Sequence, residues 1–454
     1  MHTMVDRATA DAWAAIGGPP ELLERISFEG SAGVLPARLP VRELARATVG
    51  VCSLAAAELL ARRGGGAVPA VRVREAAVAT AFVSERHLRV DGRVPTSFAP
   101  LSGFWRAADG WVRTHANYPH HRARLLNALG IQDSGDEPAL VERLRGELAS
   151  RRAAEVREAV YAEGGLAVAV APGPRPADLP LVESSPAGSG AAPARRDGGP
   201  PAAGLRVLDL TRVIAGPVAT RSLALLGADV LRVDSPRLRE DEDAHADTGM
   251  GKRSTLLDLG TRADLRRFEE LLASADVLVT GYRPGVLDRH GLAPEALSER
   301  HLGLVVAQLN AWGWTGPWAG RRGFDSLVQA ASGIAAVEAA PDGTPGVLPA
   351  QALDHGTGYL LAAAVLRALT ERQADGAGRR LRLSLAGTAS WLLRGIAPQP
   401  LDGAPYAVEP WLTRTASPHG VLDHARTPLD YAGAPSDWAR PSGRWGADEP
   451  RWLR

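Results

Sequence analysis

The chain has 454 residues, of which 45% are hydrophobic and 23% charged, and its formal net charge is +1 at pH 7. This balance is ordinary for a globular protein of two or three domains, and it argues against nucleic acid or an acidic membrane surface as a partner. Cys52 is the single cysteine, which excludes an internal disulfide and a multi-cysteine zinc site. Because no apolar run reaches membrane-spanning length and no signal-peptide pattern is evident, we expect a cytoplasmic protein with no membrane partner.

Composition divides the chain into four parts. Residues 1–170 form an N-terminal half, residues 171–203 a linker rich in Pro, Ala and Gly, residues 204–395 an α/β region, and residues 396–454 a tail rich in Pro, Gly and Trp. The composition of the linker does not supply enough apolar surface for independent order. We expect the tail to wrap over the surface of a domain.

The N-terminal half begins with a segment that recurs later in the chain. Residues 51–60 (VCSLAAAELL) resemble residues 359–368 (YLLAAAVLRA), and both continue through a strand into an Ala-rich helix. This match suggests an internal repeat of helix, strand and helix.

A small α+β unit follows in the same half. Residues 104–115 predict a hairpin with its turn at Asp109-Gly110. Periodic apolar residues then predict helices over 119–129, 141–148 and 153–163. His115, His120 and His121 raise the question of a metal site, but adjacent histidines diverge on a helix and no carboxylate lies at ligand spacing. We expect these histidines to pack in this unit or at its surface.

The α/β region opens with a βαβ pattern in residues 204–236. The pattern consists of strand 206–210, loop 211–217, helix 218–226 and strand 230–234. The loop lies at the carboxyl end of a parallel strand, which is the usual ligand edge of such sheets. It lacks the GxGxxG dinucleotide fingerprint, since only Gly216 is present. We predict an α/β fold, a Rossmann-like parallel sheet with helices on both faces, together with a smaller α+β domain.

Six ordered motifs identify this region as similar to the family III CoA-transferases, which include formyl-CoA and carnitine CoA-transferases and α-methylacyl-CoA racemase. The motifs are LDLTRVIAGP (208–217), LGADVLRVDSP (226–236), GKRSTLLDL (251–259), ADVLVTGYRPGVLDRHGL (275–292), GWTGP (313–317) and LDHGTGYLLAA (353–363). The resemblance implies a CoA-transferase that uses acyl-CoA and a small carboxylic acid as substrates and holds no permanent cofactor.

The domain order departs from that of the family. FWRAADGWV in the N-terminal half resembles the small domain that normally follows the catalytic half. The chain therefore carries the later half of one family unit ahead of the first half of another. This order leaves open whether the family's interlocked dimer is replaced by a homodimer of such chains or by a pseudo-dimer within one chain.

The resemblance makes Asp354 the candidate nucleophile. The family's aspartate attacks the thioester, forms a mixed anhydride, and is converted by the returning thiolate into an aspartyl-CoA thioester. A carboxylate suits this role because it is expected to be ionised near neutrality without help. The alternative from the residues alone is a helix N-cap. In the first repeat, Arg46 or Ala47 aligns with Asp354, so only the second copy would be catalytic.

Further site residues follow from the same motifs. Gly356 and Gly358 are expected either to let backbone N–H groups stabilise an oxyanion or to form a flexible helix start. The candidates for CoA binding are Arg212, Val213, Ala215, Lys252, Arg253, Tyr282, Arg289 and His290. Lys252 is the only lysine in the chain. A solvated surface is the alternative for each arginine, and Gly281 stands where the family usually has asparagine.

Phe324 separates transfer from racemisation. It replaces the histidine that pairs with the aspartate in the racemase branch, and phenylalanine cannot carry a proton. Transfer is therefore favoured over two alternatives, an acyl-CoA racemase or isomerase and a CoA-binding homologue without turnover. Trp312, Trp314 and Trp318 are expected either to cover an acyl pocket or to anchor their loop.

Overall fold

The computed structural model describes residues 6–96, 98–190, 198–400 and 403–453. Its α-helices, in chain order, are α1 (Arg7–Ala15), α2 (Val41–Gly64), α3 (Glu75–Ala81), α4 (Ser84–His87), α5 (Pro119–Ala128), α6 (Glu137–Ala149), α7 (Ala153–Ala162), α8 (Ala215–Leu225), α9 (Glu242–Thr248), α10 (Arg262–Leu272), α11 (Pro294–Arg300), α12 (Asp325–Ser332), α13 (Ile334–Val337), α14 (Ala352–Asp375) and α15 (Leu385–Arg394). Short 3₁₀ helices cover Pro20–Arg25, Asp288–His290 and Glu409–Trp411.

The strands, in chain order, are β1 (Ile26–Glu29), β2 (Ser31–Ala32), β3 (Val71–Arg74), β4 (Arg89–Val90), β5 (Phe104–Ala107), β6 (Gly110–Thr114), β7 (Ala167–Ala169), β8 (Glu183–Ser189), β9 (Arg206–Leu210), β10 (Asp229–Asp234), β11 (Arg253–Leu256), β12 (Val277–Thr280), β13 (Val305–Asn310), β14 (Ala377–Ser384), β15 (Ala404–Pro405), β16 (Leu412–Ser417) and β17 (Gly420–Ala425). The βαβ unit has the predicted strands, and α8 begins at Ala215, three residues earlier than expected.

A seven-stranded sheet in the order β11-β10-β9-β12-β13-β14-β8 forms the centre of the fold. Its first six strands are parallel, and β8 adds to β14 in antiparallel direction. Numbered along the chain, the parallel strands have the doubly wound order 3-2-1-4-5-6, which reverses between β9 and β12. The reversal leaves a crevice at the carboxyl ends of these two strands.

Different helices cover the two faces of this sheet. Val207 and Val279 pack in one core with α8 and α14. Leu208 and Leu278 pack with Phe268 of α10 on the opposite face. This division arises because successive side chains along a strand point to opposite faces, so that strands buried on both sides are apolar throughout.

Residues 98–170 form the smaller domain. Strands β5, β6 and β7 make an antiparallel sheet, and α5, α6 and α7 enclose with it a separate core that includes Leu125, Leu144 and Val160. The turn of the predicted hairpin lies at Ala108 and Asp109, because Gly110 already pairs with Ala107. The predicted fold class, an α/β sheet with helices on both faces plus a smaller α+β domain, is confirmed.

Residues 6–96 share the core of the large sheet. Trp13 of α1 and Leu44 of α2 belong to the same hydrophobic cluster as α14. Among the residues that the structure describes, α2 is apolar and long enough to cross a membrane, contrary to the expectation from the sequence. It is a core helix here, since nearly all of its residues are buried against neighbouring elements.

The segment expected to be a linker is partly ordered. β8 lies within residues 171–203 and pairs along the free edge of β14, because an unpaired edge strand offers hydrogen-bonding groups to another segment. Residues 191–197 of this linker lie outside the described residues. The tail runs along the sheet domain, where β17 pairs with β4 and the Trp438 indole donates to the carbonyl of Arg221.

The internal repeat corresponds to two helices of equal length, α2 and α14. The bounds of these helices correct the sequence alignment that paired Arg46 or Ala47 with Asp354. α2 and α14 are each 24 residues long, and each ends at a left-handed glycine, Gly65 or Gly376. Counted from these bounds, Glu43 rather than Arg46 or Ala47 occupies the position of Asp354. Glu43 accepts hydrogen bonds from Arg42 at 2.9 Å and from the Gln399 backbone at 2.8 Å. The first copy thus has a carboxylate, but this carboxylate is held in a buried ion pair.

Candidate active site

A cavity of about 320 Å³ opens at the carboxyl ends of β9 and β12, where the strand order reverses. The loop from Arg212 to Ala215 forms one wall, and Gly281 and Tyr282 form a second. Asp354 lines the cavity from the first turn of α14. The small domain contributes further lining residues, namely Tyr118, His120 and His121. Both halves of the chain therefore build this site.

Asp354 lies in the cavity wall and does not occupy the cap position of its helix. Gln351 occupies the cap position of α14, and Asp354 is the third helical residue. Its backbone N–H donates to Asp325 Oδ2 at 2.9 Å. Because α14 is long and packed in the core, its first turn holds the Asp354 side chain in a fixed place at the cavity wall.

The environment of Asp354 disfavours its ionised form. Burial, the Asp325 carboxylate and the Glu85 carboxylate raise the pKa of Asp354 well above its usual range. This shift opposes the ready ionisation of Asp354 that the sequence led us to expect. Burial also raises the pKa of Asp325, which accepts hydrogen bonds from Gln329 and from the Asp354 backbone. Once ionised, Asp354 is a stronger base than an exposed aspartate and, by the same token, a better nucleophile.

His355 is directed away from the reaction centre. Its Nε2 lies 3.2 Å from Glu85 Oε2, and its ring stacks on Phe82 at a centroid distance of 5.4 Å. Burial raises the pKa of Glu85, but the hydrogen bond and charge of His355 outweigh this effect, so the net pKa is lowered.

The oxyanion role predicted for Gly356 and Gly358 is not supported by their positions. Both lie beyond the first turn of α14, where helical N–H groups have intrahelical partners. The two glycines instead allow close helix packing. A Cβ on Gly358 would lie 2.5 Å from the carbonyl oxygen of Ala215, and a Cβ on Gly356 would lie 2.7 Å from Leu44 Cδ2.

The loop after β9 is strained and firmly held. Val213 has a φ of 71°, a conformation that costs a β-branched residue on the order of 1–3 kcal/mol. Arg212 donates to the carbonyls of Leu238 and Arg239 at 2.7 and 2.9 Å, and its guanidinium lies over the Tyr118 ring. Ala215 begins α8, so the positive end of this helix points to the cavity.

Lys252 and Arg253 are held in ion pairs and are not among the residues that line the cavity, and their contact with CoA stays a prediction. Lys252 Nζ lies 3.0 Å from Asp209 Oδ2 and donates to the carbonyl of Pro217. Burial lowers the pKa of Lys252 to about 8. Arg253 donates from Nε and Nη2 to the Asp229 carboxylate and from Nη1 to the carbonyl of Arg451. Both residues support α8 and the sheet edge beneath the site.

Of the predicted CoA ligands that follow β12, one lines the cavity and two lie outside it. Tyr282 lines the cavity, and burial raises its pKa above the usual range. Arg289 and His290 lie in the 3₁₀ helix further along this loop, outside the cavity, where Arg289 Nε is 3.1 Å from His290 Nε2. Contact of these two residues with CoA remains a prediction.

Residues of the small domain were missed by sequence reasoning. His115 stacks on Phe324 with a centroid distance of 4.0 Å, and His121 lines the cavity next to Phe324. The only signal was the density of histidines in HANYPHH, which gives no indication of where the small domain docks. The expectation that these residues pack in their own unit is thus incomplete.

The tryptophans anchor their loop. Trp312 and Trp318 meet edge to face at 4.6 Å, and Trp312 Nε1 donates to the carbonyl of Arg322. Trp314 lies under the guanidinium of Arg382. None of the three is among the residues that line the cavity of Asp354.

Part of the chain is similar to known proteins. Residues 203–420 match CoA-transferase family III. The resemblance is confirmed for this part of the chain. The family III region is 34% identical over 205 residues to a probable fatty acyl-CoA transferase, Rv3272, of Mycobacterium tuberculosis, covering 42% of this chain and 51% of that protein. It is 32% identical over 213 residues to a succinate–glutarate CoA-transferase of Agrobacterium fabrum, covering 43% and 53%.

A solved structure of Rv3272 is 32% identical and covers 43% of this chain and 58% of that one, with a TM-score of 0.41. A further relative, an acetyl-coenzyme A transferase of Hypoxylon pulicicidum, is 37% identical over 205 residues, covering 43% of this chain and 34% of that protein. This chain thus spans about half the length, or less, of the curated relatives that it matches.

Proposed function

We propose that this protein transfers CoA from an acyl-CoA to a carboxylic acid, with Asp354 as the covalent nucleophile. The observation that carries this proposal is the placement of Asp354 in the wall of the cavity at the reversal of strand order, a cavity that Ala215 at the N-terminus of α8 also lines. The similarity of residues 203–420 to CoA-transferase family III supports the same reaction.

The reaction balances as two acyl exchanges. The Asp354 carboxylate attacks the thioester carbonyl, the C–S bond breaks, and CoA leaves as a thiolate. The thiolate attacks the Asp354 carbonyl of the mixed anhydride, releases the donor acid and forms an aspartyl-CoA thioester. The acceptor carboxylate then attacks this thioester, and the thiolate returns to the acceptor carbonyl, which frees Asp354 and yields the new acyl-CoA.

The same chain supplies both halves of the site, so we propose a pseudo-dimer within one chain as the active unit. Tyr118 of the small domain donates to Glu240 at 2.9 Å, and Glu158 pairs with Arg321 at 2.7 Å. These contacts seat the small domain on the family III region. A cytoplasmic location of the protein is consistent with its mixture of surface charges and stays a prediction.

Trapping of the aspartyl intermediate tests the mechanism. The protein is incubated with several acyl-CoAs, quenched with hydroxylamine, and mapped by peptide mass spectrometry. We expect a hydroxamate on Asp354 that is absent in a folded Asp354→Asn variant, with deamidation of the asparagine monitored. CoA binding without an adduct from any donor would overturn covalent transfer and favour a CoA-binding role. Exchange of the substrate α-proton with solvent, without transfer, would favour a racemase.

A further inference from the structure

His121 of the small domain lines the same cavity as Asp354. Only 4% of this residue is exposed. Its Nδ1 is enclosed by the protein, and within the ranges that the structure describes neither imidazole nitrogen of His121 has a hydrogen-bond partner. Buried polar side chains are usually satisfied, and an unpaired one destabilises the fold. A buried, unpaired imidazole in a cavity wall therefore indicates a partner that arrives with the substrate.

The ring of His121 is held in place by its neighbours. His121 lies in the first turn of α5, where its backbone N–H donates to the carbonyl of Tyr118 at 2.9 Å. Its ring meets the rings of Tyr118 and Phe324 edge to face, with centroid distances of 5.6 and 5.8 Å. Because the side chain is already ordered, a hydrogen bond from it to a bound ligand loses little conformational entropy.

The imidazole of His121 stays neutral in this environment. Burial is the main cause that lowers the pKa of His121 to about 2, and the charges of His120, His115 and two nearby arginines act in the same direction. A neutral imidazole carries one N–H donor and can polarise a carbonyl group without giving up its proton. His121 is therefore suited to hydrogen-bond donation rather than to general acid catalysis or to pairing with a charge.

The groups that react at Asp354 offer acceptor atoms to such a donor. A thioester presents its carbonyl oxygen and a carboxylate presents two oxygens, whatever acyl chain is attached. Negative charge develops on the carbonyl oxygen when a carboxylate attacks it, and a donor already in place at that oxygen stabilises this state. The N–H groups of Gly356 and Gly358 have partners within α14, so they do not supply this donor.

We infer that His121 is a further catalytic residue, which donates a hydrogen bond from its imidazole to the carbonyl oxygen of the acyl group that Asp354 attacks. The inference rests on the proposed function, and it gives the N-terminal small domain a part in the chemistry. No proton is transferred in this step. The N–H bond of His121 stays intact while the Asp354 oxygen bonds to the carbonyl carbon, the C–S bond breaks and CoA leaves as a thiolate.

Single-turnover labelling of Asp354 in the full chain tests the inference. The donor is the acyl-CoA that gives the most Asp354 hydroxamate, and its concentration is varied to obtain the maximal rate and the half-saturating concentration. His121→Phe is expected to lower the maximal rate about 10²- to 10³-fold with little change in the half-saturating concentration, because the lost contact strengthens in the transition state. His121→Gln keeps an N–H donor and should recover part of this loss.

Arg122→Gln is the matched control and should label Asp354 at the parent rate. Arg122 is the next residue of α5, but it pairs with Asp133 and Glu137 and does not line the cavity. The inference alone is overturned by a parent rate in His121→Phe, by equal losses in the Phe and Gln variants, or by a raised half-saturating concentration at an unchanged maximal rate. A parent protein that no acyl-CoA labels would overturn the proposed function as well. Thermal melts establish that each variant is folded.

Discussion

The imidazole of His115 lies parallel to the ring of Phe324, with centroids 4.0 Å apart and an interplanar angle of 3°. His115 directly follows β6 of the small domain, and Phe324 directly precedes α12 within the residues that match family III. The stack therefore joins the two halves of the chain at the cavity of Asp354. It also places a buried titratable group at the contact between the halves.

This contact makes the stability of the protein sensitive to acid. Burial lowers the pKa of His115 to about 3 from a usual value of 6.5. Between these pH values the unfolded chain binds a proton that the folded protein does not, so stability falls as the pH falls. At pH 5 this residue alone costs about 2 kcal/mol.

His115→Phe is expected to keep the stack and to remove this dependence. Urea unfolding at pH 8 and pH 5 should show a smaller loss of stability in the variant than in the parent protein. Parallel losses in both proteins would mean that His115 is not buried as a neutral group.

Asp354 gives the opposite pH dependence. Its pKa is raised in the fold, so above the pKa of the unfolded aspartate the folded protein retains a proton that the unfolded chain has lost, and stability falls as the pH rises. Asp354→Asn removes this cost, and we expect greater stability at pH 8 by about 1.4 kcal/mol for each unit of pKa elevation. Below pH 4 the two proteins should unfold alike.

The raised pKa of Asp354 is also expected to change how the transfer rate depends on pH. Transfer at saturating substrate is expected to fall on acidification at a higher pH than an exposed aspartate would titrate, and Asp354→Asn should reduce it to background. A rate that is flat down to the pKa of an ordinary carboxyl would contradict a raised pKa for an attacking Asp354.

Lys252 is expected to act on stability rather than on ligand binding. Its ammonium forms a buried pair with Asp209 at 3.0 Å, and removal of one partner leaves a buried charge uncompensated. Lys252→Met should lower the free energy of unfolding by about 3–5 kcal/mol. CoA affinity measured on the folded variant should be unchanged. A stable variant that has lost CoA binding would instead support a role as a phosphate ligand.

The two glycines of α14 are expected to differ in their tolerance of alanine. At Gly358 a Cβ would meet the backbone oxygen of Ala215, which cannot move without shifting α8. Gly358→Ala should therefore destabilise the protein by about 1–3 kcal/mol and weaken CoA binding, because α8 borders the cavity.

Gly356→Ala is the matched control, since the added methyl would meet only the flexible end of Leu44. The higher helix propensity of alanine, worth about 1 kcal/mol, offsets part of that crowding. Thermal unfolding of both variants checks the difference. Equal destabilisation would show that backbone approach at α8 is not the limiting contact.

The sequence by itself determined the features that depend on neighbouring residues. Alternating and continuous apolar runs predicted the βαβ unit around Leu208 and Val230. The resemblance to the family III CoA-transferases singled out Asp354, which lies in the first turn of α14. The sequence patterns that predict strands, turns and helices extend over only a few residues, so these elements can be predicted without knowledge of the fold. The loop after β9 has only Gly216 of the GxGxxG pattern, and this alone excluded a dinucleotide fingerprint.

Only the tertiary structure decided which charged groups line the cavity of Asp354. Lys252 and Arg253 meet carboxylates at Asp209 and Asp229, more than twenty residues earlier in the chain, and are thereby withdrawn from the cavity. His121 lies more than 200 residues before Asp354 in the sequence and reaches the cavity from the small domain. The role of a charge depends on the partners that folding brings to it, and those partners are set by packing at long range rather than by local pattern.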